Sequence, residues 1–260
     1  MRKLFAGAFA TLLLASCTHD RTFTIEGSFE VPTSFQFGDT VIERDPIEGY
    51  VYLMDVNETV IDSALIKDEH FRFEGAVDSR KPYLALICSE YANNFVVIEP
   101  GTITAVVDEQ VHVSGTPLND KIVEVENYLE NLSNEMYDRV NEFGETVSDS
   151  LLFPIYMELV QRASVFVDSV YTSNQDNPVG LYIANAQTAD AQTSDELTER
   201  LDSYSDYVRD SELMQRRKDY LNSMQADMDS DMDVDMNADI DADIDADMDV
   251  DMEDADAAKP

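Results

Sequence analysis

The spacing of apolar residues changes once along the chain, near residue 117, and this change limits the folds that the chain can adopt. Before it, short runs such as Phe23-Thr24-Ile25 alternate apolar and polar residues, which is typical of strands with one buried face. After it, apolar residues recur every three or four positions, which is typical of amphipathic helices. The sequence therefore predicts a β-rich region followed by an α-helical region.

The β-rich region comprises residues 21–116. Its predicted strands are separated by turn residues such as Glu99-Pro100-Gly101. Seven or eight short strands with regular turns predict an antiparallel sandwich that buries its own core. The predicted strands are 23–29, 50–54, 60–61, 71–75, 83–88, 95–98, 102–107 and 111–113.

The helical region comprises residues 117–224. Asn177-Pro178 predicts the start of a short helix, and Thr193 with Glu196 forms a capping box at the start of the next one. Two long segments of this region each have a stripe of apolar residues at helical spacing. Polar residues, Asn119 among them, lie off the first stripe. We expect the stripes to form core or a helix–helix seam, and the alternative of a partner-binding groove between them has no support in the sequence. The two long stripes are Leu118, Ile122, Val125, Leu129, Leu132, Met136 and Val140, then Leu152, Ile155, Leu159, Ala163, Phe166 and Val170.

Residues 1–16 have the features of a secretory signal peptide. Arg2 and Lys3 precede an apolar run from Leu4 to Leu14, which is shorter than the roughly 20 residues that cross a bilayer. The run ends in Leu14-Ala15-Ser16-Cys17, which resembles the lipobox of bacterial lipoproteins. This resemblance implies cleavage before Cys17, a lipid thioether on its sulfur and acylation of its new amine, for example with palmitate. The alternative is a plain secretory signal in which Cys17 is incidental.

A lipid on Cys17 would hold the chain on a membrane through the short linker 17–20. In bacterial lipoproteins a residue other than Asp after the lipidated cysteine implies sorting to the outer membrane, and Thr18 fits that pattern. Only Asp20 is acidic among the next residues, so we expect the periplasmic face.

The chain is strongly acidic, with 17 Lys and Arg against 54 Asp and Glu and a formal net charge of −37. This charge argues against a nucleic-acid partner, because phosphate binding requires a cluster of basic residues. Residues 225–260 repeat Asp at every second position, and charge repulsion predicts a disordered tail there. Asp227, Asp229 and Asp231 match the first ligand positions of a calcium loop, but Met232 and Ala238 do not match later ones. Weak binding of divalent cations is therefore an alternative for the tail, and a defined metal site is not expected.

Three segments of the β-rich region resemble motifs of one family. They are 62–75, around the hairpin that ends in Phe71-Arg72-Phe73-Glu74-Gly75, then 95–104, and finally 113–120. The family is the domain of unknown function 4369, and the chain resembles it over residues 21–120. The region is also similar to the N-terminal part of membrane-anchored thiol–disulfide oxidoreductases of the thioredoxin type. Glu69-His70 departs from the family pattern, in which a Gly is usual at the hairpin turn.

The resemblance to the oxidoreductases implies a following thioredoxin domain with Cys-x-x-Cys, and the sequence has neither this motif nor any Trp. Cys88 lies in an apolar run and is predicted to be a small buried side chain. His19, His70 and His112 are far apart in the sequence and are not expected to bind a metal together. The sequence therefore predicts no catalytic residue, no cofactor and no enzyme.

These observations lead to three hypotheses. The first is a lipid-anchored cell-envelope protein with a non-catalytic binding or scaffolding role towards an envelope partner. The second is an accessory partner of a thiol–disulfide oxidoreductase system. The third is low-affinity cation binding through the acidic tail.

Overall fold

The computed structural model describes residues 20–32, 34–37, 40–142 and 149–238. Within these ranges ten strands precede six helices. The strands are β1 Asp20–Phe29, β2 Ser34–Phe37, β3 Thr40–Glu43, β4 Tyr50–Met54, β5 Val60–Leu65, β6 His70–Asp78, β7 Tyr83–Cys88, β8 Asn93–Ile98, β9 Gly101–Val107 and β10 Val111–Ser114. The helices are α1 Pro117–Glu142, α2 Asp149–Asn174, α3 Pro178–Gln187, α4 Ser194–Leu201, α5 Asp206–Arg209 and α6 Glu212–Ala238.

Two four-stranded sheets form the β region. Sheet I has the strand order β10-β9-β1-β6, and sheet II has the order β5-β4-β7-β8. A separate hairpin pairs β2 with β3. Among the described strands, all pairs are antiparallel except β1 with β9, which run parallel from Phe23 opposite Gly101 to Phe29 opposite Val107. The predicted antiparallel sandwich is therefore confirmed in its strands and layers, with one parallel pair that the sequence did not reveal.

The two sheets pack face to face around a single apolar core. Alternate residues of sheet I, such as Ile25 and Phe73, meet alternate residues of sheet II, such as Leu53 and Ile87, and all four are almost fully buried. This arrangement follows directly from the period-two pattern, because side chains of a strand alternate between its faces.

Two glycines allow large rings to lie flat across the β1–β6 pair. Phe71 is directly opposite Gly27, and Phe23 is directly opposite Gly75. A Cβ atom on either glycine would overlap the facing ring. The Phe71 and Gly75 positions of the first family-like motif thus have a packing explanation.

The turn between β5 and β6 uses two non-glycine residues with positive φ, Asp68 at 51° and Glu69 at 61°. Positive φ at both central positions is the geometry of a type I′ turn, which matches the twist of the strands. Lys67 and His70 exchange backbone hydrogen bonds of 2.9 Å across it. The Glu69 carboxylate forms a 2.7 Å ion pair with the largely buried Arg44. This contact stabilises the turn at a position where the family usually has glycine.

The helices cover the outer face of sheet II. Leu84 of β7 and Val97 of β8 point out of the sandwich and join a second core with Ile122, Val179 and Leu197 from the helices. The molecule therefore has three layers, in the order sheet I, sheet II and helices. The predicted β-then-α organisation is confirmed.

The local helix signals also agree with the structure. Asn177 caps α3 by accepting a hydrogen bond from Val179 N at 2.9 Å, and Pro178 is the first helical residue. Thr193 caps α4 by accepting from Glu196 N at 3.1 Å.

The predicted start of the tail at residue 225 lies inside α6, whose backbone continues to Ala238. A helix that is already nucleated by packed residues such as Met214 extends at low cost. Residues 239–260, the rest of the predicted tail, lie outside the described residues.

Candidate functional site

The start of α1 is held against the edge of sheet II by Asn119. Its Nδ2 donates to Val97 O at 2.8 Å and to Thr116 Oγ1 at 2.8 Å, and its Oδ1 accepts from Val97 N at 2.9 Å. The side chain thus takes the place of a further strand on the edge of β8. Asn119 is only 1% exposed, although the helical period puts it off the apolar stripe. The stripe pattern is wrong at this position because the partner of Asn119 is a distant strand.

Glu99 caps the same helix from the turn between β8 and β9. Its Oε1 accepts from Leu118 N at 2.7 Å and Asn119 N at 3.3 Å, so a carboxylate meets the partial positive charge of the helix start. Asp120 in turn accepts from Gly115 N at 2.7 Å. The second and third family-like motifs therefore bind each other, and their polar residues have a structural role at this junction.

Beyond the junction, α1 and α2 form a long antiparallel hairpin. Each helix has 26 residues, which corresponds to about 39 Å at 1.5 Å per residue. Leu132, Leu159 and Val167 are buried between them, and the rings of Tyr128 and Phe166 stack with centroids 3.9 Å apart. Much of the two predicted stripes thus forms the expected helix–helix seam, whereas Leu129 of the first stripe is 40% exposed.

One flank of the hairpin carries a network of two arginines and two glutamates. Arg139 contacts Glu135 at 2.5 Å and Glu158 at 3.1 Å, and Arg162 contacts Glu135 at 2.9 Å. Hydrogen bonds from Arg162 and from Arg139 hold the pKa of Glu135 and of Glu158, respectively, below the usual range. The four side chains are partly exposed to water, so their ion pairs contribute little to stability.

The opposite flank is covered by α3 over only part of its length. Because α3 has ten residues, it is about 15 Å long. Tyr182 of α3 donates to Glu126 Oε1 at 2.7 Å, and its burial, followed by this contact, raises the pKa of the Tyr182 hydroxyl above its ordinary value. Where α3 ends at Gln187, the seam between α1 and α2 loses its third helix.

An apolar groove of about 360 Å³ opens at the end of α3. Closer to the hairpin tip, two further large apolar side chains are exposed, Phe153 at 64% and Tyr137 at 69%. Apolar surface of this extent is a recognised sign of a binding site. We define the hairpin groove as the surface formed by Leu129, Tyr137, Phe153, Met157, Val160 and Ala186.

The hairpin points away from the N-terminal end of β1. Because β9 runs parallel to β1, the Glu99 turn that caps α1 lies at the end of the sandwich where β1 begins. Farther along, Glu126 and Glu130 of α1 border a cavity with Asn94 and Gln110, which mark the opposite end of the strands. The remaining part of α1 therefore extends beyond the sandwich.

The predicted lipidation residue Cys17 and also His19 lie outside the described residues, which begin at Asp20. Cys88 is half-buried at the end of β7, so the prediction of a buried side chain is only partly correct. Burial, followed by the charge of Glu58, raises the pKa of the Cys88 thiol. A raised pKa lowers the fraction of thiolate, the reactive form of cysteine.

The two described histidines each contact a residue of their own turn. His70 Nδ1 lies 2.6 Å from Asp68 O, and His112 Nε2 lies 3.2 Å from Asp108 Oδ1. Across the described ranges, no group of three or more His, Cys, Asp or Glu is arranged to hold a metal ion. In the same part of the chain, no helix combines the length and apolar character needed to cross a membrane.

Fold and site together define a two-sheet sandwich that carries a helical layer with an open apolar groove. Residues 23–122 match the family model described as a domain of unknown function (DUF4369), which covers the sandwich and the start of α1. The family resemblance seen in the sequence is confirmed over this range. No curated protein and no solved structure matches the chain.

The hairpin groove is the feature that the sequence did not indicate. Its signal is a second set of apolar residues on α2, Phe153, Met157 and Val160, which repeats every three or four positions beside the first stripe. Two apolar faces on one helix are compatible with a fully buried helix. Only the short length of α3 shows that this second face is left open.

Proposed function

We propose that this protein is a lipid-anchored bacterial envelope protein whose helical hairpin binds an envelope partner without catalysing a reaction on it. The observation that carries this proposal is the hairpin groove, whose residues Tyr137, Phe153 and Met157 are exposed at the far end of the molecule. The anchor is the lipid predicted on Cys17, on the periplasmic face of the outer membrane.

The geometry supports this arrangement. Cys17 is three positions before the first residue of β1, Asp20, so the anchor lies within about 11 Å of the sandwich even when the linker is fully extended. The part of α1 after Glu130 has twelve residues, which adds about 18 Å beyond the opposite end of the sandwich. The sandwich then acts as a spacer between the membrane and the hairpin groove.

The anchor is tested by radiolabelled palmitate incorporation and membrane fractionation in cells. Cys17→Ser should lose the label and leave the outer-membrane fraction, whereas the control Cys88→Ser should keep both, since Cys88 lies in β7. Continued labelling of the Cys17→Ser chain would contradict the anchor.

The binding role is tested with a photo-crosslinking amino acid placed at single sites of the full chain in living cells. We expect a discrete adduct from position 157 in the hairpin groove and none from position 61 on β5, because Met157 and Ile61 are exposed to a similar extent, 47% and 45%. Equal adducts from both positions, or none from position 157, would contradict a role for the groove.

A further inference from the structure

We propose that the partner segment that occupies the hairpin groove is a cationic amphipathic helix of about 16 residues. This inference rests on the proposed function and specifies the chemistry of the partner. It follows from the length of the open seam, from the spacing of its apolar residues and from the charges around it.

The length follows from the three helices. The hairpin is formed by helices of 26 residues, whereas α3 has ten. At 1.5 Å per residue, α3 leaves about 24 Å of the seam uncovered, which is the length of roughly 16 helical residues. A partner helix of that length would continue the line of α3 and complete a three-helix bundle.

The apolar residues of the groove have the spacing that a helix requires. Phe153, Met157 and Val160 of α2 follow one another at four and three positions, which puts them on one face of the helix. Leu129 of α1 lines the groove together with Val160, so the apolar face of a third helix could pack against the stripe on α2 and this leucine. An extended peptide would not match this spacing.

The charges favour a basic partner. Helices α1, α2 and α3 contain only three basic residues, Lys121, Arg139 and Arg162, and each is already paired with a carboxylate of the hairpin. Helices α1 and α2 contain ten acidic residues, and one of them, Glu126, lines the groove beside Leu129 and Val160. Uncompensated acidic charge next to an apolar groove attracts lysine and arginine on the flanks of a partner helix.

The same charges argue against the two occupants that the chain itself could supply. A second copy would bring another net charge of −37 against the first. The segment 239–260 has ten acidic residues and one lysine, so it carries the same sign as the hairpin. Complementarity therefore selects an external, positively charged helix.

The test uses the full chain in nanodiscs of zwitterionic phosphatidylcholine, with empty nanodiscs as the blank. The probe is a fluorescent 16-residue peptide of leucine and lysine with leucine at helical spacing, and binding is measured by anisotropy. A peptide of the same composition with dispersed leucines should bind at least about tenfold more weakly, because it loses the continuous apolar face. A peptide with glutamate in place of lysine should not bind.

Matched variants keep the net charge unchanged and so separate the groove from general attraction to an acidic protein. Met157→Asn with Val160→Asn should weaken binding of the leucine–lysine peptide at least about tenfold, since two apolar contacts are lost. Ile61→Asn on β5, an equally exposed position, should change it less than about twofold. Equal binding of the ordered and dispersed peptides, or equal binding by all variants, would overturn the proposal.

The failures of the two proposals are distinguishable. A crosslink at position 157 in cells together with no peptide binding would leave the groove as a binding site and overturn the cationic helix. A dimer in sedimentation that is lost in Met157→Asn with Val160→Asn would show instead that a second copy occupies the groove. Each of these outcomes needs no variant that disturbs the core, because Met157 and Val160 are exposed.

Discussion

Replacing Asn119 by Ala should be one of the most destabilising single substitutions at the junction between the sandwich and the helices. The side chain makes three hydrogen bonds, of 2.8, 2.8 and 2.9 Å, in a site that is 1% exposed. Ala leaves the N–H and C=O of the fully buried Val97 without partners. Because each orphaned buried group costs about 1–3 kcal/mol, we expect the free energy of unfolding to fall by about 3–5 kcal/mol.

The measurement is urea unfolding of a chain that starts at Thr18 and so retains every described residue. With a urea dependence of about 1–3 kcal/mol per molar, the midpoint should fall by roughly 1–2 M or more. Circular dichroism of the helices and tyrosine fluorescence should shift together, because Asn119 joins α1 to β8. Asn131→Ala, at an exposed position of the same helix, should change stability by less than about 0.5 kcal/mol. A loss below about 1 kcal/mol for Asn119→Ala would refute the reasoning.

Two further predictions concern the sandwich. Gly27→Ala should lower the free energy of unfolding by about 1–3 kcal/mol, because the new methyl group overlaps the Phe71 ring. In urea unfolding, Phe71→Leu should destabilise the Gly27→Ala chain less than it destabilises the wild type, because the two side chains occupy the same space. In the chain that starts at Thr18, Cys88 is the only thiol. Its rate of alkylation should rise with pH, and the midpoint pH of that rise should be higher in the folded chain than in urea. The reason is that burial raises the pKa of the Cys88 thiol in the folded chain. A midpoint in the folded chain at or below the midpoint in urea would contradict this.

The secondary structure of this protein was largely predictable because its signals are local. The alternation of Phe23 and Ile25 with polar residues, and the caps at Asn177 and Thr193, depend on neighbours within a few positions, and all appear in the structure as expected. The short β2–β3 hairpin was missed.

The pairing of distant elements was not predictable in the same way. The parallel contact of β1 with β9 joins residues more than seventy positions apart, and no local pattern encodes it. Asn119 looked like a surface residue because its partner Val97 lies on a distant strand. The hairpin groove was not predictable for a similar reason. Phe153 and Met157 are exposed because α3 is too short to cover them, and the composition of α2 alone does not reveal this.

The central position of β1 has a mechanical consequence. Its backbone is hydrogen-bonded to β6 on one side and to β9 on the other. In the proposed orientation, tension between the membrane and a partner on the hairpin pulls β1 along its own axis. Both ladders then carry the load in shear, and many bonds must break at once before the strand slides out. Since resistance to force depends on the unfolding rate, the sandwich can serve as a durable force-bearing tether even at modest thermodynamic stability.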